Sequence, residues 1–439
     1  MRDVLITLVV LAGVPFMLRS PYIGIMYWAW IGLMNPHRLA YGFAYGFPFA
    51  AAVGGLTLIG LFATREERRW KGAPEIYILI TLILWMSLTT LQAMEPELAQ
   101  PKWVSVMKVQ VMMFVALMVL QKPRHVELMI WVLALSIGFF SVKGGLFTIA
   151  TGGSYRVWGP PDSAIEDNNS LALATVMIIP LLYYLAGRVQ KRWLRMALWA
   201  CMVLSAASAL GSHSRGALLA IGAMGLLLWA QSRKKLFSGL LMGILAAGLV
   251  AFMPSNWDER METISKYEED DSAMGRIHTW TMLWRIANDR FLGAGFEPYT
   301  QETFDRYSPQ FPTVHAAHSI YFQMLGEHGY VGLALFLAMW LMTWRSAGFV
   351  IRAARDRPEW AWAGSLARAF KTSIAAYLVG GAFLNLAYWD LPYYEMVLLV
   401  VMRWQLRRIP ANSPDVVSKA ETSPFEPVQA MDRVPSSTA

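Results

Sequence analysis

The chain has 439 residues, of which 56% are hydrophobic and only 15% charged, and its mean hydropathy is +0.39. Soluble domains carry about a quarter charged residues, so a soluble globular protein is excluded and a polytopic membrane protein is implied. The formal net charge of +8 would suit a nucleic-acid partner, but the basic residues sit beside apolar runs at alternate loops, which is an orientation signal.

Three apolar stretches precede residue 64: Val4–Leu18, Tyr22–Met34 and Phe43–Phe62. The first is not followed by a convincing small-residue cleavage site and reads as a retained span. Basic clusters at Arg65/Arg68/Arg69/Lys71, Lys122/Arg124, Arg188/Lys191/Arg192/Arg195, Arg233/Lys234/Lys235, Arg345/Arg352/Arg355/Arg357 and Arg403/Arg407/Arg408 mark cytoplasmic loops. Between them lie apolar runs near 75–93, 103–120, 127–150, 170–186, 196–212, 216–231, 236–253, 321–344, 368–388 and 392–406. With their flanks these approach the ~20 residues that cross a hydrocarbon core. They are helices, because backbone groups in lipid must be satisfied within the segment. An even number of these spans returns the C-terminus to the cytoplasm, and a cytoplasmic N-terminus then requires an even number of crossings before residue 64. The first two short runs meet at Arg19-Ser20-Pro21 and are expected to share a broken or re-entrant arrangement. The fold class is all-α, with about 12 transmembrane helices. Residues 1–63 form the N-terminal apolar segments, 64–253 a helical core, 254–320 one large periplasmic loop, 321–408 the last helices, and 409–439 a tail too poor in apolar residues to order. A transporter would share the span number, but the halves show no internal repeat and no matched broken helices. Cys201, the single cysteine, excludes an internal disulfide or a cysteine metal site.

Polar residues on the non-cytoplasmic side are not explained by orientation, and chemistry is to be sought there. They fall in Glu95–Lys102, in Ser154–Asp162 through Glu166-Asp167-Asn168-Asn169, in the tight connection Ser212-His213-Ser214-Arg215-Gly216, and in the long loop. Arg215 has almost no loop around it, and a cation at that depth costs several kcal/mol unless paired, which marks a functional residue. Lys108 and Lys143 invite the same reading or a snorkelling one. In the long loop, Met274 through Ile286 has the spacing of an amphipathic helix, with Trp280, Leu283, Trp284 and Ala287 on one face and Arg276 at its start. Its apolar face is expected to rest on lipid. The loop ends at His315-Ala-Ala-His318, where an imidazole at the membrane-water boundary can handle protons.

Taken in order, Arg156…Gly159…Asp167-Asn168, Ser214-Arg215-Gly216, Arg276…Trp280…Phe291-Leu-Gly293-Ala-Gly295 and His318-Ser-Ile-Tyr321…Gly326-Glu327-His-Gly329…Gly332 resemble the O-antigen ligase family. Ser319 and Asn168 depart from its usual pattern, leaving the presumed reactive groups untouched. The resemblance, over roughly residues 75 to 405, implies a glycosyltransferase of the bacterial inner membrane with its active site facing the periplasm. Its donor would be a glycan on undecaprenyl diphosphate and its acceptor a lipid A-core sugar, with protein O-glycan ligases and O-antigen polymerases as related alternatives. The chemistry fits the residue types. Arginine forks grip a departing diphosphate, for which Arg215 and Arg276 are the candidates and Lys108, Lys143 and Arg156 possible helpers. His318 is the expected base toward the acceptor hydroxyl, kept neutral by nearby cations, with His315 the weaker neighbour and His213, His278 and His328 flanking. No convincing carboxylate set appears on the outer side, so metal-independent catalysis without a cofactor is expected, with inversion at the anomeric carbon.

Overall fold

The computed structural model describes residues 1–232, 234–237, 239, 240, 243, 271–311 and 313–408. Most of the run at 236–253, loop residues 254–270 and the tail 409–439 lie outside the described residues. The described chain is all-helical: α1 Arg2–Arg19, α2 Pro21–Met34, α3 Phe49–Ala63, α4 Pro74–Leu91, α5 Pro96–Val119, α6 Pro123–Ala150, α7 Asn168–Arg188, α8 Arg192–Gly211, α9 Arg215–Gln231, α10 Asp271–Asp289, α11 Gln301–Tyr307, α12 Ile320–Ala353, α13 Ala361–Gly380 and α14 Asp390–Arg408. Among the described residues, α4, α5, α6, α7, α8 and α12 are long and apolar enough to cross a membrane, and α3 and α9 are shorter apolar helices.

Helix starts follow local chemistry. Proline stands at the first position of α2, α4, α5 and α6, where its missing N–H is an orphan in any case. Asp167, Ser214, Thr300 and Ser319 cap α7, α9, α11 and α12 with side-chain oxygens. Inside the bundle, close approach substitutes for a hydrophobic drive. A Cβ added at Gly145 of α6 would lie 2.2 Å from the Leu204 carbonyl of α8, so bare glycine lets these helices touch. α7 is buried along most of its length, and so is α14.

The basic clusters gather at one end, the basic face: Lys71 donates to the Leu117 carbonyl at 2.6 Å, Arg357 to that of Leu406 and Gln405 to that of Gln121. The opposite end, the loop face, carries residues 151–167. Ser20 bonds Glu66 on the basic face, whereas Arg2 donates to the Leu39 carbonyl and Arg38 pairs with Asp162 at 3.2 Å on the loop face. The chain therefore reaches Ala63 in three antiparallel runs with its start on the loop face. α1 and α2 are two helices joined by a tight turn at Ser20, where the sequence led to a broken or re-entrant arrangement; neither is among the helices long and apolar enough to cross a membrane.

Two further departures shape the site. α13 ends at Gly380, earlier than the apolar run to 388, because residues 384–389 turn back and give the Leu386 and Ala387 carbonyls to the hydroxyls of Tyr377 and Tyr393. α10 does not rest its apolar face on lipid. Met282, Leu283 and Ile286 are fully buried against Ala294, Phe304, Tyr307 and Ala317, and Trp284 is the half-exposed residue.

The glycines after α10 have a specific partner. α12 breaks at Gly329, whose φ of 66° is left-handed, and the break frees the carbonyls of Gly326 and Glu327. The Ala294 and Gly295 N–H groups take them at 2.8 Å each, with Gly293 at φ +73° in the close approach. Met94 donates to Ala294 at 2.7 Å, and Lys102 pairs with Glu297 at 2.6 Å, so the start of α5 is stitched to the same loop.

Candidate active site

Arg215 is the first residue of α9, presented by a turn that is held from several sides. His213 sits at φ 56°, its Nε2 within 2.7 Å of the Gly153 carbonyl. Asn168 Nδ2 donates to the Ser212 carbonyl at 2.7 Å, and Ser214 Oγ accepts from the Ala217 N–H. A guanidinium at a helix N-terminus opposes the helix dipole. The position makes sense for an anion that meets the charge and the helix N-terminus together.

His318 lies just before α12, half-buried, at φ 43°. Non-glycine residues pay about 1–3 kcal/mol in such regions and persist where their surroundings fix them. Here the fixing is visible. Trp280 of α10 donates from Nε1 to the Ala317 carbonyl at 2.6 Å and stacks on Phe322 at 4.9 Å. Ser319 Oγ caps α12. The Tyr299 hydroxyl, beside the Ala317 backbone, donates to Glu327, which also accepts from Tyr388, itself bonded to His328. A buried chain thus runs from the α12 break toward the segment before His318. Burial holds the His318 imidazole below its ordinary pKa, the Arg276 guanidinium pushes the same way, Asp167 opposes and His315 adds a small lowering. The resting imidazole therefore stays neutral at neutral pH, with the negative charge of Asp167 near enough to favour its protonated form.

These pieces meet at residues 380–383, between α13 and α14. A Cβ on Gly216 would lie 3.4 Å from that of Phe383, one on Gly381 would lie 2.7 Å from Ile320 of α12, and Gly380 would meet Leu173 of α7 and Ala220 of α9. Trp280 faces Phe383 at 6.5 Å. The N-termini of α7, α9 and α12 therefore gather on the loop face around one bend, all three dipoles favouring negative charge there.

Of the sequence-derived candidates, Arg276, His315 and His318 are brought together, with Arg215 joined through the shared bend; the His315 ring lies against Gly275. Arg156 is exposed on the segment that lies over the turn, where Val157 N donates to the Gly211 carbonyl. Lys143 lines a separate cavity with Arg2, Arg38 and Trp158. Lys108 is exposed midway along α5, and no contact among the described residues ties it to the cluster. His278 stacks on Phe311, and His328 belongs to the buried chain. Asp167 and the 380–383 bend were not singled out from sequence. The adjacent pair Gly380-Gly381 was the only local trace of that bend.

Residues 200–337, from the Arg215 turn through His318 to just past the α12 break, match the family model described as O-Antigen ligase. This region is similar to the O-antigen ligase family. The similarity suggests a membrane glycosyltransferase-like activity of the ligase and polymerase kind. Residues 1–190 match a family of unknown function (DUF5935). No curated protein matches the chain.

Proposed function

We propose that the protein transfers a preassembled glycan from undecaprenyl diphosphate to a hydroxyl of a lipid A-core sugar, on the periplasmic face of a bacterial inner membrane. The observation that carries this reading is a half-buried imidazole, held neutral by burial and by Arg276, beside the turn that presents Arg215. His318 accepts the acceptor's hydroxyl proton as the oxygen attacks the anomeric carbon. The bond from that carbon to the diphosphate oxygen breaks, and the leaving diphosphate departs onto Arg215, Arg276 and the gathered helix N-termini. Asp167 stabilises the imidazolium that results. One in-line displacement inverts the anomeric centre, and no carboxylate nucleophile takes part.

The test is reconstitution of the purified protein with lipid-linked glycan and, separately, lipid A-core, a protein acceptor and a second lipid-linked repeat. Product on lipid A-core alone supports ligation; product on either of the others assigns the chain to the protein ligases or the polymerases. His318→Ala should lose transfer on every acceptor while remaining folded in the membrane, and normal turnover in that variant rejects the base.

A further inference from the structure

The loop face holds a second concave site that the reaction above does not use. Between the 36–46 connection, the outer part of α6 and the loop 158–161 lies a cavity of about 730 Å³, within the size range of ligand pockets. Arg2, Arg38 and Lys143 line it together with Tyr41, Tyr45 and Trp158. Two of the cations are braced: Arg2 donates to the Leu39 carbonyl and lies over Tyr41, while Arg38 lies over Tyr45 and pairs with Asp162. Lys143 is exposed and makes no ion pair among the described residues. Of the nearby carboxylates, none of which lines the cavity, Asp162 is taken by Arg38 and the Tyr45 hydroxyl, Glu166 accepts from the Asp162 N–H, and Asp3 accepts from the Gly42 and Ala44 N–H groups. A positive surplus is left facing the cavity, among three rings of which Tyr41 is 90% and Trp158 58% exposed.

The cavity also sits against the candidate active site. Gly159 on its wall donates its N–H to the Glu166 carbonyl at 2.8 Å, so cavity wall and Asp167, which acts on His318, are the two sides of one hairpin. The same hairpin thus borders this hollow on one side and on the other carries the carboxylate felt at His318, where a glycan's reacting end would lie. Aromatic faces suit the apolar faces of sugar rings, and guanidinium and ammonium groups suit phosphate or carboxylate. We propose that this cavity binds an anionic carbohydrate, the phosphate- or carboxylate-bearing part of a substrate's glycan beyond its reacting sugar. The inference rests on the glycan-transfer reading and names the kind of sugar that reading requires.

The experiment is calorimetric titration of the full chain in nanodiscs of neutral phosphatidylcholine. The probes are a glucose trisaccharide carrying one phosphate, the same trisaccharide without it, and inorganic phosphate. Saturable binding of the phosphorylated trisaccharide is expected, about tenfold tighter than either control. Lys143→Gln, at an exposed position that folding tolerates, and Trp158→Ala should each weaken it about tenfold. Equal binding of phosphorylated and plain trisaccharide, no binding of either, or indifference to both substitutions overturns the proposal. So does inorganic phosphate matching the sugar phosphate, or complete displacement by phosphatidylglycerol vesicles, which would make the hollow a lipid-headgroup site. Binding is read without turnover: a protein that takes the probe but transfers no glycan refutes the transfer reading alone, and one that transfers but takes no probe refutes this inference alone.

Discussion

Replacing Trp280 by phenylalanine deletes one hydrogen bond and keeps the stack on Phe322. The Ala317 carbonyl that loses its 2.6 Å donor is wholly buried, and leaving such a group without that partner costs about 1–3 kcal/mol. Ala317 immediately precedes His318, whose left-handed backbone needs an external hold. The stack on Phe322 and the Ser319 cap of α12 remain, so the fold should survive and the loss should fall on the fraction of molecules with His318 in its working pose. Each 1.36 kcal/mol is tenfold in rate, so turnover should drop about 5- to 150-fold. Trp280→Ala should be worse, since an aromatic pair adds about 0.5–1.5 kcal/mol beyond its buried area. The assay is kcat for glycan transfer at saturating donor and acceptor, with thermal unfolding in detergent to confirm folding. A Trp280→Phe protein with undiminished turnover would show that the indole does not position the histidine.

The base is active when neutral, and its folded pKa lies below the ordinary histidine value of about 6.5, so transfer should hold through neutral pH and fall on acidification only below that value. Arg276→Gln removes one of the lowering influences, so the acid limb of its pH profile should move upward; a limb that stays in place would assign the shift to burial alone. Arg215→Lys keeps the charge but not the fork, and turnover should fall at least about tenfold in the reconstituted assay; full activity would favour a lipid-anchoring role. Gly293→Ala places a methyl group 2.6–2.8 Å from backbone atoms of Gly326, Glu327 and Gly329 at a left-handed φ. The left-handed backbone alone costs about 1–2 kcal/mol, so a lower thermal midpoint together with reduced transfer is expected. An unchanged midpoint would refute the docking of this loop as a source of stability.

Several helix boundaries could be read within a few residues, because Pro74 and the caps Asp167, Ser214 and Ser319 are local signals that need no neighbour; α5 was missed by a longer stretch, its apolar run read from 103 whereas the helix starts at Pro96. His318, Arg215 and Arg276 could be picked out because charge or imidazole beside an apolar run is conspicuous in one dimension. The direction of α1 could not, since its orientation is fixed by Arg2 and Arg38 meeting Leu39 and Asp162 across the loop face. The covered face of α10 was hidden for a similar reason: an amphipathic pattern gives the side that must be buried and is silent on whether lipid or protein buries it.

The linear order of residues determined the solvent of this protein, its helical class, the end at which its positive charge collects and the residue types able to grip a diphosphate and move a proton. The tertiary structure alone decided their company. The charge of Asp167 is felt at His318 across more than a hundred residues, and Gly380-Gly381 gathers three helix starts, because coupling between distant segments depends on packing distance, and sequence separation carries no record of it.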